Sequence, residues 1–314
     1  MARTFIKDLK GGENLQDFYV LRQCDLLKTR TDKMYMAMSL GDMSGNIQAR
    51  LWDATDLTFE QVRDADIVKV QGGVEIYRNQ MQVVVARIRP AQVDEADLAE
   101  LLPHTQRDID KMMDELLKAA KSIKDPHLKS LLEAFLADDE ICQGFRRSPG
   151  AVTYHHAYIG GLLEHTVTML GVMEKIVPCY PALDRDLLAV GIILHDVGKI
   201  RELDCGAKFS YTDAGQLLGH IILGVTMVDE KVKDIAGFPP ELLLKLKHLI
   251  LSHHGEYEFV SPKLPMTIES VALHHLDNLD AKLTSFAAAV ESEAEGEGKW
   301  TQWNKMFNRR LYFG

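Results

Sequence analysis

Hydrophobic and polar positions follow two different periods along this chain. From residue 17 to 91 they alternate every second residue, which predicts strands over 17–24, 34–40, 47–52, 66–76 and 80–88. A short helix over 57–63 separates the third and fourth strands, and Tyr77, Arg78 and Asn79 turn the last two into a hairpin. Pro90 stops the fifth strand, and the composition then shifts to Leu, Ala, Glu and Lys. From residue 108 onward the apolar positions recur at helical spacing. Ile109, Met112, Met113, Leu116, Leu117 and Ala120 form one stripe, and Leu128, Leu131, Leu132 and Phe135 a second behind Asp125-Pro126. Further helices are predicted over 162–177, along the apolar run 187–194, around His220, from Pro239-Pro240 to the His253-His254 pair, and over 267–290. The stretch from Lys199 to Thr212 reads as a loop.

Five strands with a helix between the third and fourth is the order of an OB-fold barrel. The run from Leu40 through Gly45 to Asp53 resembles the second-to-third-strand hairpin of nucleic-acid-binding OB domains. Such barrels hold single strands by stacking bases on aromatic rings beside cationic groups. Tyr35, Trp52, Tyr77, Arg50, Arg78 and Lys33 are the residues of those types in the right places, although Tyr35 and Trp52 also suit a barrel core. The predicted fold is therefore an N-terminal five-stranded β-barrel followed by an all-α helical bundle. The expected divisions are 1–92 for the barrel, 93–150 for a helical lead-in, 151–290 for the helical core and 291–314 for a tail.

The charge distribution sharpens this division. The 314 residues carry a net charge of -10, which argues against a coat of positive charge for duplex DNA. Residues 1–92 hold 13 basic and 12 acidic side chains, whereas the remainder holds 23 against 34. Ten of the 12 histidines lie between His155 and His275, in the acidic part. Imidazoles and carboxylates gathered together suit a domain that holds cations. Cys24, Cys142, Cys179 and Cys205 are far apart and make no CxxC pair, so free thiols in a reducing cytoplasm are expected. The first residues turn charged at once, unlike a signal peptide, and no apolar run approaches the ~20 residues that span a bilayer. A cytoplasmic protein with no membrane partner is the expectation.

The chemistry centres on His195 and Asp196, delivered side by side at the end of the apolar run and followed by Gly198 and Lys199. A neutral imidazole and a carboxylate are good ligands for a divalent cation. His165 lies in the preceding apolar helix and is the natural third ligand. His220, His253-His254 and Asp277 follow on later helices, with Asp280 on the same face as Asp277. His155 and His156 sit in a loop between Tyr154 and Tyr158, where they either face a phosphate or a base or cap the next helix.

The sequence Gly160-Gly161-Leu162-Leu163-Glu164-His165-Thr166, then His195-Asp196-Val197-Gly198-Lys199, then His253-His254-Gly255, then Asp277-Asn278-Leu279-Asp280-Ala281-Lys282, resembles the HD-domain superfamily of metal-dependent phosphohydrolases. With the barrel in front, residues 15 to 285 resemble the YhaM-type 3′–5′ exoribonuclease family. The resemblance implies that His165, His195, Asp196 and Asp277 ligate one metal, that His220 serves a second with His253, His254 or both, and that Lys199 faces the scissile phosphate. It also implies manganese or cobalt as cofactor. Independently, seven such side chains suffice for two open octahedral ions, and imidazole-rich sites favour manganese, iron, cobalt or nickel over magnesium. Asp196, with two oxygens, is the expected bridge.

The leading expectation is an enzyme that trims single-stranded RNA, with single-stranded DNA as a further substrate, from the 3′ end to nucleoside monophosphates. Two alternatives stand beside it: a phosphohydrolase of small nucleotides or cyclic dinucleotides, and a non-catalytic single-strand-binding regulator. A flexible linker over 296–299 leads into a tail with Trp300, Trp303, Phe307, Arg309, Arg310, Tyr312 and Phe313. That tail is expected to dock on its own chain, on a neighbour in a homo-oligomer, or on RNA.

Overall fold

The computed structural model describes residues 4–78, 80–92, 100–152, 156–206, 209–291 and 298–314. The chain divides into two compact units, Met1–His104 with Cys205–Phe209, and Thr105–Asp204 with Ser210–Gly314.

In the first unit β1 (Asn14–Lys28), β2 (Met34–Asp42), β3 (Gly45–Trp52), β4 (Ile67–Tyr77) and β5 (Gln80–Pro90) close into a barrel in the order β1-β2-β3-β5-β4. A single helix, α1 (Asp56–Val62), lies between β3 and β4 in sequence, as the alternation predicts. Closure depends on the length of β1. Its first half, Asn14 to Val20, pairs with β4, and its second half pairs with β2, with an irregularity between Leu21 and Gln23 where the strand changes partner. The parallel pairing of β3 with β5 completes the ring. Alternation does the packing: Met36, Met38 and Leu40 of β2 point inward and are buried with Tyr19, Leu21, Val70, Val83 and Val85. The barrel unit extends past the expected end at residue 92, because Met43 N–H donates to the Glu100 carbonyl at 3.3 Å and so returns the chain to the β2–β3 turn.

The second unit is helical: α2 (Ile109–Lys121), α3 (Pro126–Leu136), α4 (Asp139–Arg147), α5 (Gly161–Ile176), α6 (Arg185–Leu194), the short α7 (Lys199–Glu202), α8 (Asp213–Val232), α9 (Pro240–Ser252) and α10 (Ile268–Glu291). Side-chain caps start most of them. Asp108, Asp125, Asp138, Asp184 and Thr212 each accept from a backbone N–H in the first turn. Helix α6 is the central rod, buried continuously from Leu187 to Leu194. Helices α3, α5, α9 and α10 pack around it, with Leu131, Leu162, Leu249 and Leu273 in the same core. The stretch after α7, expected as a loop, contains a two-stranded sheet of β6 (Leu203–Cys205) and β7 (Phe209–Tyr211). Three-residue strands are too short to show a period.

The tail folds back on itself and on α10. Thr301 N–H donates to Leu311 O at 2.9 Å, Phe313 N–H to Lys299 O at 2.9 Å, and Phe307 lies edge-on to Phe286 of α10 at 5.4 Å. Docking on its own chain is thus the arrangement observed for residues 298–314. Among the described residues, no helix is long and apolar enough to cross a membrane.

Candidate active site

Helix α6 ends at Leu194, and its last turn presents His195 and Asp196 at the buried centre of the helical unit. His165 arrives from α5, and Asp277 from α10. His253 follows the C-terminus of α9, with His254 next to it. His220 comes from α8, where Gly219 at φ +72° breaks the helix immediately before it and swings the imidazole inward. The backbone of His220 passes so close to Gly198 that a Cβ there would lie 2.0 Å from the His220 carbonyl oxygen. Gly198 in the His-Asp-Val-Gly-Lys run is therefore a spacer that lets α8 approach.

The side chains converge. His165 Nε2 lies 3.3 Å from His195 Nε2 and 3.4 Å from Asp277 Oδ1. Asp196 Oδ2 lies 3.3 Å from His195 Nε2 and 3.9 Å from His165 Nε2, while its Oδ1 lies 3.4 Å from His220 Nε2 and 3.7 Å from His253 Nε2. Of three sets of donor atoms with metal-ligating proximity among the described residues, His156 with His165 and Asp280 is joined by its own hydrogen bonds, and the other two are His165 with His195 and Asp277, and His220 with His253 and His254. The two oxygens of Asp196 face one each of these last two sets.

Every imidazole of these sets is anchored through Nδ1. His195 donates to Ile192 O at 2.7 Å, His253 to Ile250 O at 2.8 Å and His254 to Phe259 O at 2.8 Å. A carbonyl can only accept, so these Nδ1 atoms carry the hydrogen and Nε2 keeps a lone pair in the neutral ring. His220 Nδ1 is held by Glu202 Oε1 at 3.1 Å, and His165 Nδ1 by Asp280 Oδ2 at 2.6 Å. This is the arrangement of metal-bound histidines, whose second nitrogen is fixed by a carbonyl or carboxylate. Two buried atoms at the centre, Asp196 Oδ1 and His220 Nε2, have no hydrogen-bond partner. Unpaired buried polar atoms are costly, and a cation accepting both lone pairs removes the cost. The donor set fits divalent metal ions.

The electrostatics agree. Burial drives the imidazoles of His253 and His254 below the ordinary histidine value, helped by neighbouring histidines, and so favours the neutral form that ligates. Burial alone pushes the Asp277 carboxyl up, yet its hydrogen bond and charge pairing with His165 prevail and hold it well below the usual range. Burial also opposes ionisation of Asp196, but Lys199, His195 and His220 together keep it ionised. His165 is depressed by burial and raised further by Asp277 and Asp280, reaching about 9. A cavity of about 190 Å³ opens beside the centre, lined by Asp196, Lys199, His254, Asp277 and Asn278 among others.

In the barrel unit, Tyr35 and Trp52 are cross-strand partners on β2 and β3 with ring centroids 5.1 Å apart. Arg50 sits 5.7 Å from the Tyr35 ring and 6.0 Å from the Trp52 ring, and its Nε donates to Gln82 Oε1 at 3.2 Å. Trp52 is 44% exposed, so it belongs to the outer face and not to the barrel core. Arg78 lies 5.3 Å from the Tyr77 ring, and Lys33 is paired with Asp53 at 3.2 Å.

The HD domain family matches residues 162–282, and the OB-fold nucleic acid binding domain family matches residues 22–91. The chain is 39% identical over 269 residues to the 3′-5′ exoribonuclease YhaM of Bacillus pumilus, covering 84% of each chain. To the Bacillus subtilis protein of the same name it is 36% identical over 287 residues, covering 91% of this chain and 90% of that one. The chain belongs to the YhaM 3′-5′ exoribonuclease family.

Within this YhaM-family chain the sequence-predicted ligand residues all meet in one place. Lys199 and His156 both have close partners within the protein. Lys199 lines the cavity beside the centre, and its ammonium donates to Asp196 Oδ2 at 2.6 Å and to Gly150 O at 2.7 Å. His156 is held inside the helical unit. It is buried, with Nε2 on Asp280 at 2.8 Å and Nδ1 on the Tyr158 hydroxyl at 2.8 Å. His155 lies outside the described residues. Glu202 and Asp280, which orient His220 and His165, were not among the predicted site residues. The shared face of Asp277 and Asp280 was the one signal in the sequence that pointed to either.

Proposed function

We propose that the protein is a metal-dependent phosphodiesterase that removes nucleoside monophosphates from the 3′ end of single-stranded RNA, with single-stranded DNA as a further substrate. The observation that carries this reading is Asp196, whose two oxygens each face a separate set of anchored histidine nitrogens. The family relationship supplies the substrate class and direction. His165, His195, Asp196 and Asp277 would hold one divalent cation, and Asp196, His220, His253 and His254 a second, with manganese the best match to so many imidazoles. Such a pair supplies an activated water, neutralises phosphate oxygens and helps the leaving oxygen depart.

The chain's own residues prepare for that chemistry. Lys199 keeps Asp196 ionised and fixes its orientation. Asp280 and Glu202 fix the rings of His165 and His220, and the backbone carbonyls fix His195, His253 and His254. The buried walls around α6 exclude bulk water, which strengthens every charge interaction at the centre. In the barrel, Tyr35 and Trp52 stack bases, and Arg50 and Arg78 meet the backbone.

The test is product analysis. Purified protein with manganese should shorten a 5′-labelled RNA stepwise and release nucleoside 5′-monophosphates. A shift in mobility without cleavage, or turnover of a mononucleotide with RNA left intact, would replace this reading with one of the two alternatives.

A further inference from the structure

The barrel carries a basic face that neither the metal centre nor the Tyr35–Arg50–Trp52 group uses. In β5, Val83 and Val85 point inward and are buried. Strict alternation would carry Arg87 and Arg89 inward after them. The register shows why it does not. Gln71 of β4 pairs with Arg87, whereas the next residue, Gly72, pairs with Val85, leaving Ala86 as an extra residue in β5. This bulge reverses the phase of the strand. Ala86 and Arg87 are both exposed, Ile88 packs toward the core, and Arg89 is exposed again.

The same register gathers further groups on that face. Lys69 of β4 pairs with Arg89, and Phe18 of β1 pairs with Lys69, whose ammonium lies 4.9 Å from the Phe18 ring centroid. A groove of about 720 Å³ runs past them, with Trp52, Lys69, Gln71, Arg87 and Arg89 in its wall. Trp52 thus borders both this groove and the Tyr35 ring. Among the described residues, neither Lys69 nor Arg87 has a carboxylate partner, and Asp53 in the same wall is paired with Lys33.

We infer that this bulged face is a second backbone-binding segment, on which Arg87, Arg89 and Lys69 take phosphates of the strand whose bases stack on Tyr35 and Trp52. The inference rests on the reading of the barrel as the strand-gripping module. Arg87 and Arg89 are about 7 Å apart along the strand, so each reaches a phosphate of its own. Burying these two arginines in the barrel would be prohibitive. A bulge that instead delivers them to a groove ending at an exposed tryptophan gives the strand a continuous path.

The experiment uses the full-length protein with EDTA to prevent turnover. Binding of a fluorescein-labelled oligouridylate is followed by anisotropy between about 50 and 200 mM salt. Variants are R87Q/R89Q, the charge-keeping R87K/R89K, and W52A, all at exposed positions where thermal melting checks the fold. Losing two phosphate contacts should lower the slope of log affinity against log salt by about 1.4. The unaltered protein should then lose about sevenfold more affinity than R87Q/R89Q across that range. R87K/R89K should restore the slope. If R87Q/R89Q keeps the full slope while W52A weakens binding, the bulged face is not a phosphate site and the strand lies on the aromatic side alone. If none of the variants weakens binding, the barrel is not the strand-gripping module, and this inference falls with that reading.

Discussion

Asp280 Oδ2 accepts from His165 Nδ1 at 2.6 Å and from His156 Nε2 at 2.8 Å, so one carboxylate oxygen ties a buried loop histidine to an imidazole of the metal centre. The link continues outward, from His156 Nδ1 to the Tyr158 hydroxyl and from there to Glu164 Oε2 at 3.0 Å. Glu164 neighbours His165 on α5, so the chain of bonds closes on itself. Removing the central acceptor leaves two buried imidazoles without a shared partner. Asp280→Ala should weaken manganese binding by about 10–100-fold, as measured by titration calorimetry. An unchanged affinity would show that the ring of His165 is held by packing alone.

The raised value of His165 has a pH consequence. In the metal-free protein its folded value is about 9, against about 6.5 for an unfolded histidine. Its protonated form therefore stabilises the metal-free fold fully below about pH 6.5, and that contribution fades as pH rises through about 9. A cation needs the neutral ring and must displace this proton. Apparent manganese affinity should rise with pH across the window, and loading at pH 7.5 should release protons. Calorimetry in two buffers of different ionisation enthalpy checks this. Loading without proton release would contradict the assignment of His165 as a ligand.

Gly198 separates the metal-bearing turn from the backbone of α8. A Cβ there would lie 2.0 Å from His220 O and 2.6 Å from Gly224 N, and neither backbone atom can move without displacing α8. Gly198→Ala should cost at least about 1–3 kcal/mol of stability, as overpacking does. It should also reduce bound metal, because His220 moves with its helix. Thermal melting and elemental analysis read the two effects, and a variant with normal stability and metal content would refute the packing argument.

The site was legible in the sequence where donors are strung on strongly periodic helices. The apolar stripes place His165, His195 and Asp277 on buried faces, and the structure brings them to one point. The partners of those donors were less legible. Glu202 lies in a four-residue helix with no period to read, and it reaches His220 only because α8 breaks at Gly219. His156 looked like a loop histidine because nothing local shows that Asp280, 124 residues away, is its partner. In the barrel, alternation gave the strands. The bulge at Ala86 was invisible, since a one-residue phase change also reads as the plain end of a strand.

The exposed stack on the barrel predicts a binding effect that leaves chemistry intact. Trp52→Ala should weaken single-stranded RNA binding by about 1–3 kcal/mol. Turnover at saturating RNA should be preserved, because Trp52 contributes no ligand to the metal centre. Equal losses in affinity and saturated rate would show that the tryptophan supports the fold and not the strand.

The central claim is that hydrolysis runs through Asp196, whose carboxylate serves both sets of ligands. The direct measurement follows a 5′-labelled single-stranded RNA on a denaturing gel with saturating manganese, for the unaltered protein and for Asp196→Ala, with circular dichroism confirming that the variant is folded. A ladder of progressively shorter products from the unaltered protein and full-length RNA from the folded variant is the predicted result. A matching ladder from both would contradict it.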